Sequence, residues 1–306
     1  MEERDLDAAD RIFRLAFGTY LGLEKPETFA AGQDYVRFRW SPDSKGALAA
    51  EVDEELAGSN FITEWGSVAY FGPLTVHPQN WGRKVANCLL ERTLEIFEQG
   101  NTRHQGLYTF PQSTKHVHLY QKYGFWPRYL MALVSKTVDP PRDNHEMTCF
   151  SLLGDSEKEA ALRASAELTD SVYEGLCLNG DIEILATKKL GESVLLWGSG
   201  KLEGLALCHC GEGTQAGPDT CHIKFAAVRP GAQAAVLFER LLDCCEVMAF
   251  ERQLRQISTA VNTGCHEAYR LLLSCGYKTT VQGLAMHRPN EDGYFRPGSF
   301  VVSDWR

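Results

Sequence analysis

Residues 72–95, GPLTVHPQNWGRKVANCLLERTLE, read as a strand, a sharp turn and a helix, with Gly82, Arg83 and Lys84 where the helix begins. A helix start leaves main-chain N–H groups without partners and carries a partial positive charge. An anion such as pyrophosphate is its natural occupant. Gly82 permits an unusual φ or a close backbone approach. Arg83 and Lys84 add formal charge. The same residues also fit an ordinary strand-to-helix turn with a solvated basic pair.

Two other constellations have types and spacing that bear on chemistry. STKHVHLYQKYGF places Tyr120 on a short helix that stops at Gly124 and Phe125. His116 lies one helical turn earlier, on the same face. Cys208, Cys210, Cys221 and His222 form a C-x-C…C-H cluster. That set could ligate zinc, but the paired C-x-x-C spacing is missing. GLALCHC and TCHIKFAAV read instead as two strands around the turn GEGTQAGPD, with Cys208 and Cys210 on one face. No metal is expected there.

These residues need elements to hold them. RDLDAADRIFRLAF has apolar residues at helical spacing, so a helix lies near the start. GALAAEVDEELAGSNFITEW reads as two strands hinged at VDEEL, and VAYFGPLTV as the strand before the turn. The helix after the turn ends at Gly100, a good C-cap. The strand HQGLYTF, the Tyr120 helix and a closing strand YLMALVSK complete a first unit. The second half repeats the order. SEKEAALRASAELTD is a helix, SVLLWGSGKLEGLALCHCGEG gives strand, turn and strand, and TCHIKFAAVRPG parallels VAYFGPLTVHPQ. AAVLFERLLDCCEVMAFERQ, QISTAV and HEAYRLLLSCGY follow as helix, strand and helix. An α/β unit used twice, with mixed (α+β) sheets, is the simplest account. The expected boundaries are a first domain at 1–138, a linker at 139–150 around a double proline, a second domain at 151–288 and a tail at 289–306. The tail segment SFVV is expected to pair with a sheet edge left open, that of the first domain being one candidate.

Bulk properties exclude several classes. The 306 residues suit two domains. Lys and Arg number 31 and Asp and Glu 40, a net charge of −9 spread over both halves. Nucleic-acid binding by phosphate neutralisation is not expected. No apolar run reaches the ~20 residues of a membrane span. The acidic, amphipathic start lacks the pattern of a signal peptide. A cytoplasmic setting is therefore expected, with the ten cysteines reduced.

The two helix-linked motifs together resemble the GNAT acyltransferase superfamily. Its turn motif, V-x-P-x-x-[RQ]-G-x-G-x-[GA], is met by Val76, Pro78, Gly82 and Ala86. Its L-Y-x-K-x-G-F helix end is met by Leu119, Tyr120, Lys122, Gly124 and Phe125. The likeness covers residues 60–135 well and the second half more weakly, and the whole resembles tandem two-domain GNAT proteins. It implies acetyl-CoA as cosubstrate and an N-acetyltransferase acting by direct attack of a primary amine, small-molecule or peptide, on the thioester. Leu74, Thr75 and Val76 would offer main-chain groups to the pantetheine arm. Gly82, Arg83, Lys84, Val85 and Ala86 would hold the pyrophosphate. Tyr120 would protonate the leaving thiolate. Glu64, on the strand before the cofactor strand, is a candidate base, and so are His116 and His118. His116 also reads as a packing residue near the pantetheine arm.

The chain departs from the family pattern at named positions. Trp81 stands at the [RQ] position and keeps an aromatic body while losing a donor. Lys84 stands at the second glycine, where a Cβ is tolerated if φ is negative. Ser113 or Gln112 stands where the family carries an asparagine. In the second half the turn VRPGAQAAV lacks the basic pair, and Leu272 stands at the tyrosine position, with Tyr269 a turn earlier. That half is expected to be a degenerate domain without cofactor, a scaffold or substrate wall. The departures leave a second reading open, a non-catalytic tandem pseudo-acetyltransferase that binds CoA or a protein partner.

Overall fold

A computed structural model describes residues 1–40, 45–100, 102–140, 147–198 and 200–306. The first half runs α1 (Leu6–Tyr20), β1 (Ala47–Val52), β2 (Glu55–Trp65), β3 (Val68–Phe71), β4 (Thr75–Val76), α2 (Val85–Gln99), β5 (His104–Thr109), α3 (Thr114–Lys122) and β6 (Trp126–Thr137). The second runs β7 (Thr148–Cys149), α4 (Asp155–Val172), α5 (Asn179–Lys188), β8 (Gly191–Gly198), β9 (Lys201–Gly211), β10 (Gly217–Val228), α6 (Ala234–Glu251), β11 (Gln256–Asn262), α7 (His266–Ser274), β12 (Lys278–Arg288) and β13 (Val301–Ser303). The order from β2 to β6 recurs from β9 to β12, as the sequence implies.

Alternation fixes what covers each face. Consecutive strand residues point to opposite sides. In β2, Asn60 reaches Thr93 of α2 (2.8 Å), while Phe61 joins the buried cluster of Leu6, Ala9 and Phe13 on α1. The buried side of α2, including Val85, Leu89, Thr93 and Ile96, has the spacing of one helix face. So α1 and α2 lie on opposite faces of one sheet.

That sheet is mixed and runs β1-β2-β3-β5-β12-β6-β11-β10-β9-β8-β7, with β4 on β2 and β13 on β10. The pairs β3–β5 and β10–β11 are parallel. The closing strand expected for the first unit does not stay in it. β6 pairs with β11 from Thr137↔Gln256 to Met131↔Asn262, and β12 pairs with β5 from Leu284↔Thr109 to Arg288↔Gln105. Each half therefore supplies a strand to the other. A strand's side-chain pattern specifies its faces and not its neighbour, which is why the sequence reading misplaced β6.

The segment read as linker is partly structured. Residues 141–146 lie outside the described residues, but β7 pairs with β8 and Phe150 is buried. The helix α5 had no expected counterpart. It buries only Ile182 and Leu185 and carries Gly180 near its start, so it shows little helical pattern. The tail pairs with a strand side left open, as expected, but in the second half and not the first: Val301–Ser303 pair with Phe225–Ala227 of β10, beyond where β11 leaves it.

Candidate active site

The candidate site starts where β3 stops. β3 runs parallel to β5 from Val68↔His104 to Phe71↔Leu107. After Gly72 and Pro73 the chain turns back to β2, where Ser59 faces Thr75 and Gly58 faces Val76. A splay opens between this segment and the end of β5. Within it the antiparallel alternation decides which groups are available. His77 N–H donates to Ala57 O (2.8 Å), so the residues in phase with His77 face β2. Thr75 is one of them, and its hydroxyl lies 3.0 Å from that of Ser59. Its main chain is thus committed to β2, contrary to the expectation that it serves a pantetheine arm. Leu74 and Val76 turn their main-chain groups the other way, into the splay.

The turn after β4 is held by Asn80 N–H to His77 O (2.8 Å), Trp81 N–H to Pro78 O (3.2 Å) and Arg83 N–H to Asn80 O (3.2 Å). The N–H groups of Gly82, Lys84, Val85 and Ala86 have no acceptor among the described residues. Gly82 has φ +82° and an added Cβ there meets open space. Lys84 has φ +65° and ψ 15°, left-handed, where the sequence reading needed a negative φ. A side chain in that region costs about 1–2 kcal/mol. Such strain persists only where the surroundings impose it. Here two left-handed residues flank Arg83, and the unpaired N–H donors stand at the start of α2, an arrangement able to receive an anion.

The basic pair divides its work. Arg83 donates to Asn80 Oδ1 (2.9 Å) and lies 3.5 Å from Asp53, both exposed. The exposed Lys84 side chain has no ion-pair partner among the described residues. Trp81 has a role the sequence did not reveal: its indole N–H donates to Val76 O (2.8 Å). One of the carbonyls facing the splay is thereby occupied. A groove of about 510 Å³ follows the outer side of the turn, lined by Arg11, Asp53, Glu55, His77 and Arg83 among others. Neither Leu74 nor Tyr120 lines it.

Tyr120 sits at the other wall. α3 stops at Gly124, with φ +83°, and Phe125 N–H closes the helix onto Tyr120 O (3.1 Å). The ring of Tyr120 meets Phe71 edge-on at 5.9 Å, beside the residue where β3 ends. Ala69, Leu90, Leu107 and Met286 complete its apolar surroundings, with Leu74 packed against the same cluster. Its hydroxyl has no hydrogen-bond partner among the described residues. Burial pushes the phenol well above its usual pKa. An apolar environment disfavours the phenolate, so this group keeps its proton across the physiological range.

The remaining candidates scatter. Ser113 is the buried N-cap residue of α3, and its side chain makes no capping bond. His116 is half-buried against Tyr20 at 5.4 Å, and Tyr20 stacks on Phe110 at 5.2 Å. Burial first, then the neighbouring Lys115, lowers the His116 pKa and keeps the imidazole neutral at pH 7. His118 is exposed. Glu64 is exposed too, and lies 3.1 Å from where a Cβ on Gly100 would stand. Gly100 follows the far end of α2, a helix of 15 residues and so about 22 Å long. The structure therefore does not bring Glu64 to the turn.

The second half repeats the splay and fills it. β10 pairs with β11 from Thr220↔Gln256 to Ile223↔Thr259, then leaves it. β13 takes the vacated side, and Asp304 N–H donates to Lys224 O (2.9 Å). The crevice is occupied by the chain's own main chain. Leu272 is fully buried, and Tyr269 is tied to Thr279 at 3.1 Å. Cys208, Cys210 and Cys221 lie on the paired strands β9 and β10, with Cys210 opposite Cys221. His222 is committed to Asp304 (2.8 Å) and Ser258 (3.0 Å). No group of three or more His, Cys, Asp and Glu placed to hold a metal occurs among the described residues.

Sequence reasoning missed Arg39. It stands in the connection between α1 and β1, and its Nη1 donates to Gly72 O at 3.0 Å. Nothing in an arginine within a polar loop signals a partner at the break in another strand.

Comparison with known proteins agrees with this geometry. Residues 9–125 match the family model of the acetyltransferase (GNAT) family, so the resemblance read from the two motifs is shown for that stretch. Among solved structures, a proposed acetyltransferase from Pyrococcus horikoshii is 14% identical with a TM-score of 0.68, covering 99% of this chain and 92% of that one. A GCN5-related N-acetyltransferase from Sphaerobacter thermophilus is 16% identical with a TM-score of 0.56, covering 95% and 94%. A GCN5-related glucosamine N-acetyltransferase region of a fungal multi-domain GH3 β-N-acetylglucosaminidase is 14% identical with a TM-score of 0.60, covering 94% and 37%. At these identities the likeness is one of fold: a mixed α/β fold with the architecture of GNAT acetyltransferases. No curated protein sequence gives a significant match. No helix among the described residues is long and apolar enough to cross a membrane.

Proposed function

We propose that the protein is an acetyl-CoA-dependent N-acetyltransferase with two tandem GNAT-like domains that exchange a strand, of which the first is active. The observation that carries this reading is the pairing, in one half, of an open splay with unpaired N–H donors at its turn and a buried tyrosine beside its break. The second domain, its crevice filled by residues 301–306, serves as scaffold and wall.

The residues fit the cosubstrate. Gly82, Lys84, Val85 and Ala86 would hold the pyrophosphate through main-chain N–H groups, with the Lys84 ammonium beside them. Leu74 and the Val76 N–H would face the pantetheine arm. Acetyl-CoA supplies the activated acetyl group as a thioester. The N–H at Val76 would stabilise charge on a carbonyl oxygen in the splay. Tyr120 supplies a proton to the departing sulfur. An amine, small-molecule or peptide, attacks without a covalent enzyme intermediate. All ten cysteines are free, which suits a reducing compartment such as the cytoplasm.

The test is calorimetry with acetyl-CoA, combined with a thiol-release assay over a panel of primary amines that includes an amino sugar. Saturable binding and amine-dependent thiol release are expected. Absence of binding overturns the proposal. Binding without release supports the second reading, a pseudo-acetyltransferase that binds CoA or a protein partner. The observation favouring that reading is the Trp81 indole on Val76 O.

The turn gives a sharper expectation. Gly82→Asp places a carboxylate and a Cβ at a left-handed position beside the unpaired N–H donors. Acetyl-CoA affinity should fall tenfold or more, about 1.4 kcal/mol. The measurement is calorimetry on a variant with native circular dichroism. Unchanged affinity removes the turn from the site.

A further inference from the structure

The break at Gly72 is what opens the splay, and few bonds hold it. Gly72 N–H donates to Phe61 O of β2 (2.8 Å), and Pro73 has no N–H to offer. The other end of the Gly72 residue, its carbonyl, is taken by Arg39 Nη1 at 3.0 Å. The two bonds pin Gly72 just ahead of Leu74.

Arg39 is itself held from the second half. Its Nη2 donates to Gln215 Oε1 (3.1 Å) and to the main-chain oxygen of Arg306. Lys224 Nζ reaches the same two acceptors, at 3.3 and 3.2 Å. The guanidinium lies over the ring of Tyr35, 5.6 Å from its centre. The loop carrying Arg39 is gripped by the β9–β10 turn. Asp34 N–H donates to Thr214 O (2.9 Å), Gln33 Nε2 donates to Gln215 O (2.8 Å), and Phe38 packs on His209 at 4.5 Å. From α1, Arg14 holds the same loop through the carbonyls of Phe29, Ala30 and Gln33.

The Asp304 carboxylate lies near enough to attract the Arg39 guanidinium. The hydrogen-bond partners of Arg39 are oxygens from three separate segments: the break, the hairpin turn and the tail. A planar fork can serve several acceptors at once, and a lysine ammonium cannot reproduce that geometry.

We propose that Arg39 is a positioning residue that transmits the second half's grip to the break at Gly72 and so sets where Leu74 and Val76 point in the splay. The inference rests on the acetyltransferase reading for its functional consequence. Its physical part, the coupling of Gln215 to residues 72–77, stands apart from activity.

The experiment uses the full chain with Arg39→Met, Arg39→Lys and Gln215→Ala, and the double variant of the first and third. Three quantities are read: hydrogen exchange over residues 72–77, acetyl-CoA affinity, and kcat with the best amine. Arg39→Met should speed exchange over 72–77 and weaken acetyl-CoA binding at least fivefold, with a lower kcat. Arg39→Lys should keep the fold without restoring the affinity. Gln215→Ala should act in the same direction and more weakly, and add little to Arg39→Met, because both lie on one chain of contacts. Exchange over 72–77 and affinity both within twofold of wild type, with only the melting temperature lowered, overturn the proposal. If Arg39→Met does not fold, Arg39→Lys and Gln215→Ala decide the question by the same two readouts. If the wild type binds no acetyl-CoA, the acetyltransferase reading fails, and the exchange arm alone decides for or against the coupling.

Discussion

Tyr120→Phe is expected to lower kcat about 100-fold while acetyl-CoA affinity stays within threefold. The change deletes one oxygen from a ring that packs edge-on against Phe71. The hydroxyl makes no hydrogen bond among the described residues, so its loss leaves no partner stranded and the fold intact. A factor of about 10² is the low end for general acid catalysis, which fits a thiolate that leaves fairly well unaided. An interaction made only as the bond breaks lowers kcat and kcat/KM together.

The pH dependence follows from burial. The phenol is held well above its usual pKa, so the acid form persists above pH 10, beyond where a solvated tyrosine ionises. Wild-type turnover should show no alkaline loss from this group below that pH. Stopped single-turnover kinetics at several pH values check both points. A variant that turns over like the wild type makes Tyr120 a packing residue only. A wild-type alkaline limb near pH 10, absent from Tyr120→Phe, would mean that the hydroxyl is solvated during the reaction.

Much of this site was legible because short-range chemistry writes itself into short stretches. The turn at Gly82 and the helix end at Gly124 each need a left-handed residue, and glycine marks both. Lys84 is the instructive exception. Its left-handed conformation is imposed by the turn against its own preference, so its identity misleads. Thr75 failed for a different reason. Which main-chain groups face the splay depends on strand phase relative to β2, and the composition of LTV does not encode phase. Glu64 was assigned by nearness in strand order, yet it lies by Gly100, at the far end of α2.

The fold divides in the same way. Faces of α1, α2 and β2 follow from periodicity, which a local window contains. The exchange of β6 and β12 does not, because it is a choice among partners far apart in the chain: Thr137 faces Gln256. Arg39 belongs with these. Its contacts to Gly72, Gln215 and Arg306 join three segments that no motif connects.

The tail shows how far such a long-range choice can reach. Trp305 is 1% exposed and stands between the halves. It stacks on Tyr70 of β3 at 5.9 Å and 10°, and packs on Phe295 at 4.8 Å and His287 at 5.1 Å. Its indole N–H donates to Tyr294 (3.1 Å). The ring lies so close to Gly106 that a Cβ there would stand 1.9 Å from it. Glycine at 106 is therefore a seat cut for this side chain, contributed by β5 of the other half.

Trp305→Ala should cost about 3–5 kcal/mol, the range for emptying a buried aromatic site, and lower the melting temperature by roughly 10 °C. The prediction with most content is where protection is lost. Because the ring touches β3 and β5 as well as the β13 segment, hydrogen exchange should quicken in residues 68–71 and 104–109 along with 225–228. Trp305→Phe should recover part of the loss in both places. If the exchange change stays within the second half, the tail is a plug for that half alone, and the first half stands without it.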